Sequence, residues 1–332
     1  MKTGKLLAWL IPLVLLLLLI PFLVPAAVPG AEAEEVQRVY SLDELPVYQP
    51  VTLENPSPDP IPLEGKNLYG PRADAFLPDD GGYVDSTLSV RVEERTLGKT
   101  KVLFTWIQIA DPTQLRTATF RPYPSAQEAY ATSIAEREKS VLAISGDFFV
   151  GKEKGGRGVV WRNGKLLRKR DCGVYDSLVI DRAGDFHIIR HATVEQVGAF
   201  GDDIMHSFVF GPGLVIDGEL TRFNLKDEQD DWIFRHIGGQ KLAQRNVLCQ
   251  MGPLSYLVIT SEGPEQVKGA GFTIPEIAQL ACDMGALQAY NLDGGSSTWL
   301  VLGTERIQNK GRPNKRRTIA DIVYFATAEP NP

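Results

Sequence analysis

Two dipeptides constrain this chain most strongly: Asn163-Gly164 and Asp217-Gly218, each set between short apolar runs. Such pairs accept positive φ at both central positions of a two-residue turn, whose twist matches that of antiparallel strands. They predict hairpins. The runs elsewhere agree. Residues 86–94 (STLSVRVEE) alternate apolar and polar, the period of a half-buried strand. The runs 102–110, 141–145, 254–260, 289–292 and 318–327 read as further strands. Two helices are expected. One covers 126–139 behind Ser125 as its cap. The other covers 274–285, opened by the capping box Thr273…Glu276 with Pro275 in its first turn and stopped by Gly285. With one strong crossover helix among many strands, a doubly wound parallel fold is disfavoured. The expected class is α+β: a mixed, largely antiparallel sheet with few flanking helices, in a single domain after an N-terminal hydrophobic segment.

That segment is the uncharged run 6–28, preceded by Lys2 and Lys5. A membrane span needs about 20 residues, and the flanking lysines would keep the N-terminus cytoplasmic. Ala31-Glu32-Ala33 resembles a signal-peptidase site. Both readings, cleaved signal and retained anchor, put the rest of the chain outside the cytoplasm. Eight prolines between Pro46 and Pro78 prevent long regular structure and read as an extended linker or a surface strap. The expected organisation is 1–33 signal or anchor, 34–82 linker or strap, and 83–328 globular domain.

The formal net charge is −6, which argues against nucleic acid as the main partner. Cys172, Cys249 and Cys282 lack the spacing of a zinc site and read as small buried residues. No GxSxG, HExxH or Walker sequence occurs, which disfavours the usual serine hydrolase, zincin and P-loop chemistries. No cofactor is called for.

The candidate site residues lie at strand ends. Asp293 follows a short apolar strand and enters Gly294-Gly295, then Ser296-Ser297-Thr298. Glycines there let the backbone approach a ligand, and hydroxyls and N–H groups can cradle an anion. A carboxylate beside such a turn suits acid–base or nucleophilic work. An Asx-type turn is the plain alternative. Gly146-Asp147 ends another apolar run in the same way. Arg245 precedes the run 246–250 and is either a surface stem or a buried anion clamp. His206, ahead of FVFGP, is either a base or a satisfied core histidine. Gly155–Gly158 (GGRG) is a weak phosphate-loop signal. The basic run 312–317 (RPNKRR) is a solvated loop or a contact for an anionic polymer.

Together these pieces resemble the phosphodiester glycosidase family, typified by N-acetylglucosamine-1-phosphodiester alpha-N-acetylglucosaminidase, the uncovering enzyme, and its bacterial relatives. The matching segments occur in the family order. They are 145–149 (SGDFF), 212–218 (PGLVIDG), 245–250 (RNVLCQ), 273–278 (TIPEIA), 291–298 (NLDGGSST) and 317–321 (RTIAD). Ser145, Asp147, Cys249, Ser296 and Asp321 depart from the family pattern.

The resemblance implies hydrolysis of a sugar–phosphate diester at the anomeric bond, on an envelope or exopolysaccharide substrate. It implies Asp293, Asp147 and Arg245 as catalytic residues. Gly294, Gly295, Ser297, Thr298, Gly146, His206 and Gln250 are then the substrate contacts. Two other functions compete. One is a phosphodiesterase that breaks P–O with a metal held by Asp147 and Asp293. The other is a non-catalytic polysaccharide-binding domain. Membrane contact is expected only through the N-terminal segment, and nothing in the sequence specifies an oligomeric state.

Overall fold

The structure is a computed structural model that describes residues 38–65, 67, 69–125, 127–148, 156–310 and 316–330. The hydrophobic run 6–28, the motif 31–33, Phe149, Gly155 and most of the basic run (312–315) lie outside the described residues. Among those described, no helix is long and apolar enough to cross a membrane.

The strands in chain order begin with β1 (Phe76–Leu77), β2 (Gly82–Val84), β3 (Leu88–Leu97), β4 (Thr100–Ile109) and β5 (Leu115–Thr119). Helix α1 (Ala131–Arg137) and β6 (Leu142–Ser145) follow. Next come β7 (Val159–Arg162), β8 (Lys165–Lys169), β9 (Ser177–Asp181), β10 (Phe186–Ile189), α2 (Val194–Gly198), β11 (Ile204–Phe208), β12 (Gly213–Ile216) and β13 (Glu219–Leu220). Helix α3 (Glu228–His236), β14 (Asn246–Gly252), β15 (Ser255–Ser261), α4 (Ile274–Asp283), β16 (Gln288–Asn291), β17 (Leu300–Leu302), β18 (Glu305–Arg306) and β19 (Asp321–Phe325) complete the chain.

Two sheets carry the fold. A nine-stranded sheet runs β1-β2-β3-β4-β15-β14-β16-β12-β13, and a five-stranded one runs β18-β17-β6-β19-β5. Every strand pairing among the described residues is antiparallel. The two-residue side-chain period explains how the sheets stack. In β14, Leu248 packs toward the second sheet with Ile144, Leu300 and Val323, while Val247 and Cys249 pack against α4 through Ile274 and Ile277. In β6, Leu142 and Ile144 face the large sheet, and Ala143 faces α1 through Ile134 and Ala135. The layers are therefore α4, nine-stranded sheet, five-stranded sheet and α1. Burial on both faces accounts for the nearly continuous apolar runs of the central strands.

Both hairpin signals hold. Asn163 and Gly164 (φ 50° and 73°) join β7 to β8, and Asp217 and Gly218 (φ 53° and 79°) join β12 to β13. The α4 capping box forms: the Thr273 N–H donates to Glu276 Oε2 at 2.7 Å, and the Glu276 N–H donates to Thr273 Oγ1 at 3.3 Å. The helix expected from residue 126 starts only at Ala131. Ser125 Oγ accepts from the Gln127 N–H in a local turn, and Ala129 is held extended in a bridge to Ile319. The short helices α2 and α3 are additional to those expected from the sequence.

The large sheet begins at Phe76, ahead of residue 83. The segment expected as linker or strap lies against the domain: the Tyr40 hydroxyl donates to Asp283 at the end of α4 at 2.9 Å, the Ile61 N–H donates to Thr113 Oγ1 at 2.8 Å, and the Ile61 side chain is buried. All three cysteines are free thiols; Cys172 and Cys249 are fully buried and Cys282 partly so.

Candidate active site

Three strand ends meet at one edge of the sandwich. Strand β6 runs out into Gly146-Asp147, β16 into Leu292-Asp293, and β19 begins at Asp321. The register Ile322↔Ser145 sets Asp321 beside Gly146, and the Asp293 N–H donates to the Gly146 carbonyl at 3.3 Å. A cleft is lined by Gly146, Asp147, Asp293, Ser297, Arg317 and Asp321, together with Glu128, Phe148 and Thr318.

Asp147 and Asp321 form the buried floor. The Asp147 N–H donates to Asp321 Oδ1 at 2.9 Å. Asp147 Oδ2 accepts from the Val209 N–H at 2.8 Å. Arg162, at the end of β7, donates from Nη2 to Asp321 Oδ2 at 3.1 Å, and the same nitrogen lies 3.7 Å from Asp147 Oδ2. Its Nη1 donates to the Ser207 and Trp161 carbonyls, and its guanidinium lies 4.4 Å over the Phe208 ring. Burial pushes the Asp321 carboxyl well above the ordinary carboxylate range, and Arg162 pulls against that rise. Arg168, also buried, carries a second positive charge toward Asp147. Gly146 has a definite reason: a Cβ there would sit 2.7 Å from the Asp321 carboxyl atoms.

Asp293 lies above this floor. Burial raises its carboxyl to about 7; the Ser297 hydroxyl and Arg317 oppose the rise, and Asp147 adds to it. Such a group is half ionised near neutrality, which suits proton transfer. The turn behind it is tight because Gly294 passes against a neighbouring backbone, where a Cβ would lie 2.8 Å from the Gln244 carbonyl oxygen. Most of the turn's N–H groups are already committed. Gly295 donates to Gln244, Ser297 to Gly294 and Thr298 to Gly295. The backbone anion cradle expected from Gly294 and Gly295 is therefore largely closed, which leaves Arg317 as the cation facing Asp293.

Four expected site residues lie elsewhere. Strand parity points Arg245 to the α4 side, with Val247 and Cys249. Its guanidinium donates to the carbonyls of Phe272 (2.9 Å), Lys241 (2.9 Å) and Gly238 (3.1 Å), so it ties loops together away from the cleft. Burial lowers its pKa to about 10. His206 is fully buried. Its Nδ1 accepts the Asn163 N–H at 3.2 Å, which leaves Nε2 to donate to the Leu115 carbonyl at 3.0 Å. Burial lowers its pKa to about 3, so it is a neutral core histidine. Gln250 joins β14 to the β9–β10 turn through Asp185 (2.6 Å) and the Phe186 N–H (2.9 Å). Thr298 is buried behind the turn, where its carbonyl accepts from Gln308 at 2.7 Å.

Three residues in or beneath the cleft carried weak sequence signals. Arg162 sits in a hairpin strand, where an arginine ordinarily reads as solvent-facing. Arg317 was visible as the end of a basic run and the first residue of the motif 317–321, with no role assigned to it. Asp321 was visible only as a departure from the family pattern; the strand-end candidate Asp147 is another such departure, and the structure joins the two by a hydrogen bond. Among the described residues, the group of three or more side chains with metal-ligand spacing is His191, Asp227 and Asp230, outside the cleft.

No curated protein matches the sequence. Among solved structures, one similar fold is the zebrafish N-acetylglucosamine-1-phosphodiester alpha-N-acetylglucosaminidase catalytic domain, auto-inhibited by its pro-peptide. It is 17% identical with a TM-score of 0.58, over 72% of this chain and 83% of that one. Another is a hypothetical protein from Synechocystis, 15% identical with a TM-score of 0.53, over 73% of this chain and 62% of that one. At these identities the likeness is one of fold. The family model described as phosphodiester glycosidase matches residues 138–326, more than half of the chain. That span contains all six ordered motifs and all three cleft aspartates, and the chain belongs to the phosphodiester glycosidase family.

Proposed function

We propose that this chain is an extracytoplasmic hydrolase that cleaves a glycosyl-1-phosphodiester at the anomeric carbon–oxygen bond of an envelope or exopolysaccharide substrate. The observation that carries the reading is Asp293, a carboxyl raised by burial to about 7 and faced by the cation Arg317 in one cleft. The Asp293 carboxylate takes a proton from water as the water oxygen bonds to the anomeric carbon. The anomeric C–O bond breaks, and its electron pair leaves with the phosphate monoester. That leaving group is already a stable anion, so the strong general acid of ordinary glycosidases is less needed. Arg317 stabilises the departing phosphate electrostatically. Asp147 sets a second negative charge near the developing oxocarbenium centre, and Arg162 with Asp321 holds Asp147 in place. The run 6–28 supports export.

The test is a panel of glycosyl-1-phosphodiesters, including cell-wall polymer fragments, with products identified. Free sugar plus a phosphate monoester is expected, and its release is lost in Asp293→Asn. Release of sugar 1-phosphate overturns the reading, as does full activity in that variant.

A further inference from the structure

The β17–β18 hairpin carries a cation that the proposed chemistry does not use. Arg306 Nη2 donates to the Thr298 carbonyl at 3.1 Å, and its guanidinium lies 4.5 Å over the Trp299 ring. Its Nε and Nη1 are covered and have no acceptor among the described residues. Buried donors in native proteins nearly always find a partner, so two on one guanidinium call for a missing acceptor. The charged group that acts on Arg306 is a second cation, Arg316: burial first and Arg316 second lower its pKa, to about 10. Arg316 itself is exposed. Water would satisfy the donors but would not offset the repulsion from Arg316. An anion satisfies both demands, and a phosphate oxygen suits the guanidinium fork.

The location points the same way. Arg306 holds the carbonyl of Thr298, and Ser297 just before it lines the cleft. The Trp299 indole N–H donates at 3.0 Å to the carbonyl of Arg317, which also lines the cleft. Arg306, Trp299 and Arg317 thus form one continuous wall that runs from the cleft outward to Arg316.

We propose that Arg306 and Arg316 form a second anion subsite beside the cleft, which binds a phosphate group one repeat away from the bond cleaved. The substrate is then a polyanion with phosphate in successive repeats. The polymer half of this proposal rests on the glycosyl phosphodiester reading, whereas the anion subsite does not.

Two measurements separate the halves. Calorimetric titration of the full chain with inorganic phosphate is expected to show binding that R316Q and R306K each weaken roughly tenfold. Arg316 is exposed, so R316Q tests the subsite without disturbing the Trp299 stack. Unchanged phosphate affinity in both variants, or no phosphate binding to the wild-type chain, overturns the subsite whether or not turnover is seen. The second measurement compares kcat/KM on fragments with one and with three phosphates. The wild type is expected to favour the longer fragment roughly tenfold, and R316Q to lose that preference. Equal kcat/KM on both lengths assigns the subsite to free phosphate and overturns the polymer reading.

Discussion

The amide of Asp147 donates to Oδ1 of Asp321 at 2.9 Å, while Arg162 holds the other oxygen of the same carboxyl at 3.1 Å. Two acids that would repel one another are joined through a backbone N–H and a shared cation. Removal of the cation leaves Asp321 buried without its counter-ion, while Asp147 keeps the charge of Arg168 and the Val209 N–H. Arg162→Gln is expected to cost on the order of 3 kcal/mol, read by chemical denaturation. Asp321→Asn added to it should recover part of the loss. Strictly additive losses in the double variant would show that the pair is not coupled through Arg162.

Asp293 makes the protein's stability depend on pH in a defined direction. In the unfolded chain an aspartate loses its proton near pH 4, whereas the native carboxyl holds its proton to about 7. Between these values the native state binds more protons than the unfolded state, so stability falls as pH rises from about 4 to about 7. Asp293→Asn should flatten that slope and raise the melting temperature at pH 8 relative to wild type. A melting temperature that Asp293→Asn lowers at pH 8 would contradict the buried-carboxyl assignment.

The two arginines Arg245 and Arg317 should separate stability from activity. Arg245 donates to three loop carbonyls away from the cleft. Arg245→Gln is expected to cost about 2 kcal/mol of stability, while the folded fraction keeps its kcat/KM. Arg317 is exposed and pulls the Asp293 pKa down. Arg317→Gln should change stability by less than about 0.5 kcal/mol. It should lower kcat/KM and shift the rising limb of the pH–rate profile upward from about pH 7. The opposite pattern in either variant would reverse the roles of the two residues.

The features that were legible in the sequence are those that local chemistry dictates. Positive-φ pairs at Asn163-Gly164 and Asp217-Gly218 specified two hairpins, and Thr273 with Glu276 specified the start of α4, because each works within a few residues of itself. Asp147, Asp293, Gly146 and Ser297 were legible as candidates because they follow strand ends, and the structure brings them to one cleft. Arg245 was misplaced because its side of β14 is set by pairing with β16 and β15, which no local pattern reveals. Arg162 was missed for the matching reason: its partner Asp321 lies 159 residues away. The start of α1 was placed early because the bridge Ala129↔Ile319 outcompetes the local cap at Ser125.

The central claim, water attack at the anomeric carbon with Asp293 as base, is tested most directly by hydrolysis of a glycosyl-1-phosphodiester in oxygen-18 water, with the released phosphate monoester read by phosphorus NMR. Cleavage of the C–O bond leaves the bridging oxygen on phosphorus, so a phosphate monoester with no heavy oxygen is expected. One atom of oxygen-18 on the phosphate would place the attack at phosphorus and contradict the claim.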